Sequence, residues 1–365
     1  MDRRAFLLCC GTPLLSRFER PDPGSDEGGL WAFMDREEQR LKRSAFLIRD
    51  RALNDYVSAI ACRLADEHCA DVRVYLLRTP LFNASMAPNG MMQIWSGLLL
   101  RMSNEAQLAA MIAHEIGHYV ARHGVDRLRD AKSRSALGQL VSIALSPAAF
   151  LGTALSSAAQ LGIATDGLAY ARDHEREADR IGVELMSRAG YAASEAALVW
   201  SQLQEEVRGE ASSLLFASHP PAEERQRNLA AVAAGLNAGK RGEDSYRAML
   251  APHRALFLHD EVQRRRFGET MALLDRFLRS SPDDGEAQFF KGETYRVRGE
   301  AGDLESALAA YHGALNLKAA PPELHRSMGL VLRRLGRQGE ASDAFARYLE
   351  LRPGAADAEL VRTYL

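Results

Sequence analysis

Apolar residues recur at helical spacing through most of the chain. From Asp35 to about Glu67, residues Leu53, Tyr56, Val57, Ile60 and Leu64 fall on one stripe, which predicts a helix with that face turned inward. Val72 to Leu77 alternates as a strand, and the chain then turns through Pro80. Asn83 to Ser96 reads as two short strands about a Pro88-Asn89-Gly90 turn. Helical periodicity returns from about Asn104 to His123. Ser103 or Asn104 supplies the N-cap, Gln107 completes a capping-box-like pattern from Asn104, and Gly124 is the expected stop. A later helix carries Ala178, Ile181 and Leu185 on its apolar face and ends near Gly190, and another runs from about Ser194 to Val207. The fold class expected is mainly α with a small β-sheet, an α+β arrangement.

Two stretches depart from this alternation of face and solvent. Between Ser135 and Thr165 no side chain is charged, a length that could span a bilayer, yet the run is rich in Ala, Ser and Gly and is interrupted by Pro147. Two helices packed as a lid over a cleft are the preferred reading, with membrane contact through 135–165 as the alternative. Beyond a glycine-bearing, charged loop from Gly235 to Asp244, the pattern repeats. Gly339-Glu-Ala341, Phe345, Tyr348 and Pro353 line up with Gly268-Glu-Thr270, Leu274, Phe277 and Pro282, and Gly292, Tyr295, Ala307, Tyr311 and Ala314 form a middle copy. Three segments follow: an export signal and linker over 1–30, a mixed α+β domain over 31–240 and a helical repeat domain over 241–365.

At 365 residues and 47% hydrophobic content the chain can hold two ordinary globular domains, and a formal net charge of −2 gives no electrostatic case for nucleic acid. Met1-Asp-Arg-Arg followed by apolar residues to Leu15 reads as an export signal with twin-arginine order, and Pro21 to Gly29 as a linker. Cys9 and Cys10 fall in that signal. Cys62 and Cys69 would lie about 10 Å apart along one continuous helix, too far for a disulfide, so two buried thiols are expected unless the helix ends between them.

The chemistry centres on His114-Glu115-Ile116-Gly117-His118. Residues four apart leave one face of a helix, so both imidazoles can bind one metal with Glu115 beside them. A third histidine six positions after His118 would define the longer zinc signature, but Gly124 stands there, and His123, one place short, would point elsewhere on the helix. A carboxylate from a later helix is the other route to a third ligand. Glu175 supplies it, and Asp179, one turn on, can accept a hydrogen bond from the distal nitrogen of a ligating histidine. Two imidazoles and one carboxylate suit one Zn2+ per chain.

His-Glu-Ile-Gly-His followed by Glu-x-Glu-Ala-Asp-Arg-Ile-Gly resembles the zinc metallopeptidases that include HtpX and the CaaX prenyl proteases. The chain is most similar to their soluble periplasmic BepA-like branch, which carries C-terminal tetratricopeptide repeats. Asn83 to Leu99, Ser218-His219-Pro220 and the C-terminal repeats match that branch as well. The resemblance implies a zincin-type domain followed by tetratricopeptide repeats, with Asn83 to Met86 near the strand edge that receives the substrate backbone. It implies endoproteolysis with Glu115 as general base, and places His219 by the metal as a reversible ligand, gate or oxyanion donor, with Arg225 assisting. It further implies periplasmic quality control of misassembled envelope proteins, with protein or peptide substrates and an outer-membrane assembly machine docked on the repeats. A chaperone acting through the repeats beside a latent metal site is the alternative, and a membrane-associated location the alternative to a periplasmic one.

Overall fold

The structure, a computed structural model, describes residues 19–130, 172–206, 223–236 and 238–365. The expected signal, the uncharged run 135–165 and His219 lie outside the described residues. What is described is a mainly helical α+β fold around a three-stranded sheet.

The first helix, α1 (Asp26–Lys42), begins inside the expected linker, because the Ser25 side chain accepts from Gly28 N and caps it. Leu30, Met34 and Leu41 cover one face of the sheet, against Leu77, Met91 and Trp95. Glu38 anchors the helix to the sheet by accepting from Arg73 Nε (2.8 Å) and Nη2 (2.7 Å) and from the Tyr75 hydroxyl (2.6 Å). Burial pushes its carboxyl up, but the hydrogen bonds from Arg73 and Tyr75 outweigh it and hold the pKa at about 2.

The single helix expected over 35–67 is therefore two, α1 and α2 (Arg51–Ala65). Between them the chain zips onto the sheet, with Ile48 N donating to Leu76 O (2.9 Å) and Arg78 N to Phe46 O (2.7 Å), before Asp50 caps α2. The far end of α2 corrects a second expectation. Asp66 takes a positive φ (52°) and a 3-10 turn, Asp66–His68, folds the chain back. Cys62 and Cys69, expected as thiols, thus come to a Cα separation of 4.4 Å and form a disulfide.

Strands β1 (Arg73–Leu77), β2 (Ala84–Met86) and β3 (Met91–Trp95) form a sheet in the order β1-β3-β2. The central β3 runs parallel to β1, with Tyr75 opposite Gln93, and antiparallel to β2, with Ser85 opposite Gln93. Leu76, Ala84, Met86, Met92 and Ile94 turn to the main core. There the sheet meets α2 and α4 (Glu105–Val120), which follows the short α3 (Ser96–Arg101). After α4 comes α5 (His123–Asp130), and then α6 (Arg172–Arg188), α7 (Glu195–Glu206) and α8 (Glu223–Ala234).

The remaining helices are α9 (Glu243–Gln263), α10 (Phe267–Ser280), α11 (Gly285–Arg298), α12 (Asp303–Ala314), α13 (Glu323–Arg334), α14 (Gln338–Leu351) and α15 (Ala358–Arg362). The aligned stretches of sequence share backbone geometry. Arg266 and Arg337 enter α10 and α14 at φ/ψ of −90/68° and −89/65°, and the two helices close with Ser281 N on Phe277 O and Arg352 N on Tyr348 O, each at 2.8 Å. Glycine lets neighbouring helices close on an aromatic ring: a Cβ at Gly292 would sit 2.3 Å from the Tyr311 ring, and one at Gly329 would sit 2.5 Å from Phe345.

The main core runs unbroken from Leu53 to Val361, across the Gly235–Asp244 loop. A buried ion network stitches the two sides. Arg101 of α3 donates to Glu206 of α7 (2.8 Å) and to Glu261 of α9 (2.9 and 3.1 Å), and Arg276 of α10 reaches Glu206 (2.8 Å) and Arg101 O (2.9 Å). Among the described residues no helix is long and apolar enough to cross a membrane.

Candidate metal centre

Helix α4 is fixed at its first turn. Asn104 accepts from Gln107 N (2.8 Å), while the Gln107 side chain reaches back to Ser103 N (2.8 Å), one residue earlier than the usual reciprocal cap. Both amides also donate to buried Glu195 of α7, at 3.0 and 2.9 Å. His114, Glu115 and His118 lie about two to three turns further on, all buried.

Two glycines bring α6 against them. A Cβ on Gly117 would stand 2.7 Å from Ala178 O, and one on Gly182 would stand 3.1 Å from His114 N, so the helices cross in near contact, antiparallel. The residue between the motif's glutamate and its second histidine, and the glycine ending Glu-x-Glu-Ala-Asp-Arg-Ile-Gly, are therefore one packing device. It carries Glu175 and Asp179 to the imidazoles.

His114 Nε2 and His118 Nε2 are 3.1 Å apart, and the Glu175 oxygens lie 3.5 Å from the first and 3.3 Å from the second. Two donors on one tetrahedral zinc with bonds of about 2.0–2.1 Å are separated by about 3.3 Å, so the triangle fits the ion. Among the described residues this is the one group of three such donors close enough to share an ion. Burial pushes the His114 imidazolium down, but hydrogen bonds to Asp179 and Glu175 outweigh it and lift the pKa to about 9. A cation would take the place of that proton at Nε2.

Behind the donors, Asp179 Oδ1 lies 3.0 Å from His114 Nδ1, the distal-nitrogen contact expected from the sequence. Arg225 grips Asp179 through two hydrogen bonds (2.8 and 2.7 Å), reaches Glu175 with Nη1 (2.7 Å) and lays its guanidinium over the Trp200 ring at 4.2 Å. Burial pushes Asp179 up, yet Arg225 and His114 hold it below the usual carboxylate range. Arg225, expected to stabilise an oxyanion or gate access, is buried against the Glu175 and Asp179 carboxylates and pairs with both. His219 is not among the described residues.

Sequence reasoning missed Trp200 and His123. Nothing in the spacing of Trp200 marks it. One helix running through His123 would point its ring elsewhere. That helix stops at Val120, Arg122 turns left-handed (φ 59°), and α5 restarts at His123, so Gly124 is no stop. The turn swings His123 Nδ1 to 2.9 Å from His118 Nδ1.

The geometry defines a buried His2Glu centre with an adjacent glutamate, on a helix laid along a small sheet. Residues 48–233, just over half of the chain, match the model for peptidase family M48, and the chain belongs to that family. Beta-barrel assembly-enhancing protease of Escherichia coli strain K12 is 27% identical over 217 residues, 55% of this chain and 42% of its own. A Vibrio cholerae protein provisionally given the same name is 28% identical over 240 residues, 60% of this chain and 48% of its own. Mitochondrial metalloendopeptidase OMA1 of Schizosaccharomyces pombe is 30% identical over 178 residues, 48% of this chain and 51% of its own. The chain spans about half the length of the curated relatives it matches.

Proposed function

We propose that the protein is a zinc-dependent metalloendopeptidase that hydrolyses peptide bonds of protein substrates. The convergence of His114 Nε2, His118 Nε2 and a Glu175 oxygen within one ion's reach, with Glu115 on the same helix, carries this reading. Zinc held by His114, His118 and Glu175 would acidify a bound water and polarise the scissile carbonyl. Glu115 accepts the proton of the attacking water and delivers it to the leaving amine. Asp179 keeps His114 protonated on Nδ1, so that its Nε2 lone pair faces the donor triangle, and Arg225 holds Glu175 and Asp179 in register. Strand β2, at the sheet edge, supports strand addition as the means of aligning substrates of varied sequence. His219 is the gate or oxyanion donor in this reading.

The Cys62–Cys69 bridge supports an oxidising, periplasmic location, since such bonds persist outside reducing compartments. The matched geometry of α10 and α14 supports tetratricopeptide-like repeats that dock substrate or an assembly machine, with misassembled envelope proteins as the substrate class. Casein cleavage and metal content of the wild type beside Glu115→Gln test the chemistry. Glu115→Gln is expected to keep about one zinc and lose activity by about 10²–10⁴-fold. Full activity in that variant would overturn the assignment. A gain of cleavage in His219→Ala would make that histidine a gate, and unchanged or lower cleavage would remove the gating role.

A further inference from the structure

The two ligand histidines are held by different devices, and the second has no counterpart in the site described so far. His114 leans directly on Asp179. His118 leans on another imidazole, whose far nitrogen, His123 Nε2, lies 3.3 Å from Glu177 Oε2. The His123 ring is 1% exposed and stacks on His174 at 4.2 Å with the planes 16° apart, so its orientation is fixed. Glu177 leaves α6 between Glu175 and Asp179 on another side of the helix, and its side chain is half exposed.

Two Nδ1 atoms at 2.9 Å need one proton between them, one ring donating and the other accepting. If His118 is to present the Nε2 lone pair to an ion, its proton sits on Nδ1 and it is the donor. His123 then accepts at Nδ1, and its own proton sits on Nε2, facing the Glu177 carboxylate. This placement of protons satisfies both the His118–His123 and the His123–Glu177 contact, and the carboxylate at the end favours it. With the order reversed, His118 Nε2 would carry a hydrogen toward His114 Nε2 and could not ligate.

We propose that His123 and Glu177 form a positioning relay that fixes the tautomer and ring orientation of His118 for metal binding. It connects a buried ligand to a carboxylate at the surface. The inference rests on the reading of the centre as a zinc site and adds two residues to it, neither of which touches the ion or the substrate.

Zinc affinity, measured by competition with a chelator in the Glu115→Gln background, separates the relay from simple packing. His123→Phe keeps the ring's bulk and loses the acceptor. His123→Asn loses bulk but keeps an oxygen where Nδ1 stood. The relay predicts about 10–100-fold weaker binding for Phe and a loss under about tenfold for Asn, with unchanged far-UV circular dichroism. Glu177→Gln, at the surface, is expected to weaken binding about threefold and decides the matter should His123→Phe not fold. In the zinc-loaded protein, 15N spectra should show the His118 proton on Nδ1. Phe binding as well as or better than Asn, no effect of Glu177→Gln, or a His118 proton on Nε2 would each overturn the relay while zinc binding stood. No zinc binding by the Glu115→Gln parent would overturn the metal centre itself, and the relay with it.

Discussion

Two buried charge networks sit in this molecule, built from the same residue types, and they balance differently. Where α3 and α7 pack against α9 and α10, Arg101, Arg264, Arg266 and Arg276 face Glu206, Glu261 and Glu269, so that each carboxylate has two guanidinium partners. At the candidate centre, Glu115, Glu175 and Asp179 bring three negative charges and Arg225 one positive. With neutral imidazoles the described residues there sum to −2. Buried charge is costly unless it is paired, so the first network is complete as a structural clamp, and the acidic excess among the described residues of the second suits the dication proposed there. The same acidic pair, Asp179 and Glu175, outweighs burial in raising the His114 pKa.

The largest expected effect comes from unbalancing the clamp. Arg101→Met leaves Glu206 with Arg276 alone and Glu261 with Arg264 alone, and is expected to cost about 3–5 kcal/mol in urea denaturation, with no recovery on adding zinc. At the centre, zinc at about 100 times its dissociation constant should stabilise the wild type by about 2.7 kcal/mol, and Glu175→Gln at the same zinc concentration by much less. Equal stabilisation of both would remove Glu175 from the ligand set. The close crossing of α4 and α6 can be probed apart from charge. Gly117→Ala forces a methyl toward Ala178 O and is expected to lower stability by about 1–3 kcal/mol, whereas a neutral result would mean the crossing can relax.

The smallest effect belongs to a third cluster, where Glu38 meets Arg73. Its carboxyl is held at about 2 in the folded protein against an ordinary value of 4.5. A depressed folded pKa contributes stability that is fully present above about pH 4.5 and is lost as pH falls through about 2. Discounted for solvent, Glu38→Gln should cost about 1–2 kcal/mol at pH 7, and the gap to wild type should close toward pH 2. A gap independent of pH would assign the loss to packing.

Much of the centre is legible in the sequence, because a four-residue step on a helix is a local rule: it pairs His114 with His118 and Glu175 with Asp179. The likeness of α10 to α14 is legible for the same reason, Gly268 and Phe277 recurring as Gly339 and Tyr348 at matched spacing. The missed features share a cause. Asp66 and Arg122 adopt positive φ (52° and 59°), a conformation uncommon outside glycine that Asp favours weakly and Arg does not announce. One brings Cys69 back to Cys62 and the other returns His123 to His118. The break between α1 and α2 is likewise tertiary, since residues 46–48 leave helix to pair with the sheet. Arg225 is visible as a residue but not in its posture, which depends on Trp200 arriving from another helix.

The proposed metal site can be tested directly by counting zinc per chain in the native protein by mass spectrometry, for Glu115→Gln and for the same protein carrying His114→Ala and His118→Ala. One zinc in the first and none in the second is the result this account predicts. No zinc in the first, or the same count in both, would contradict it.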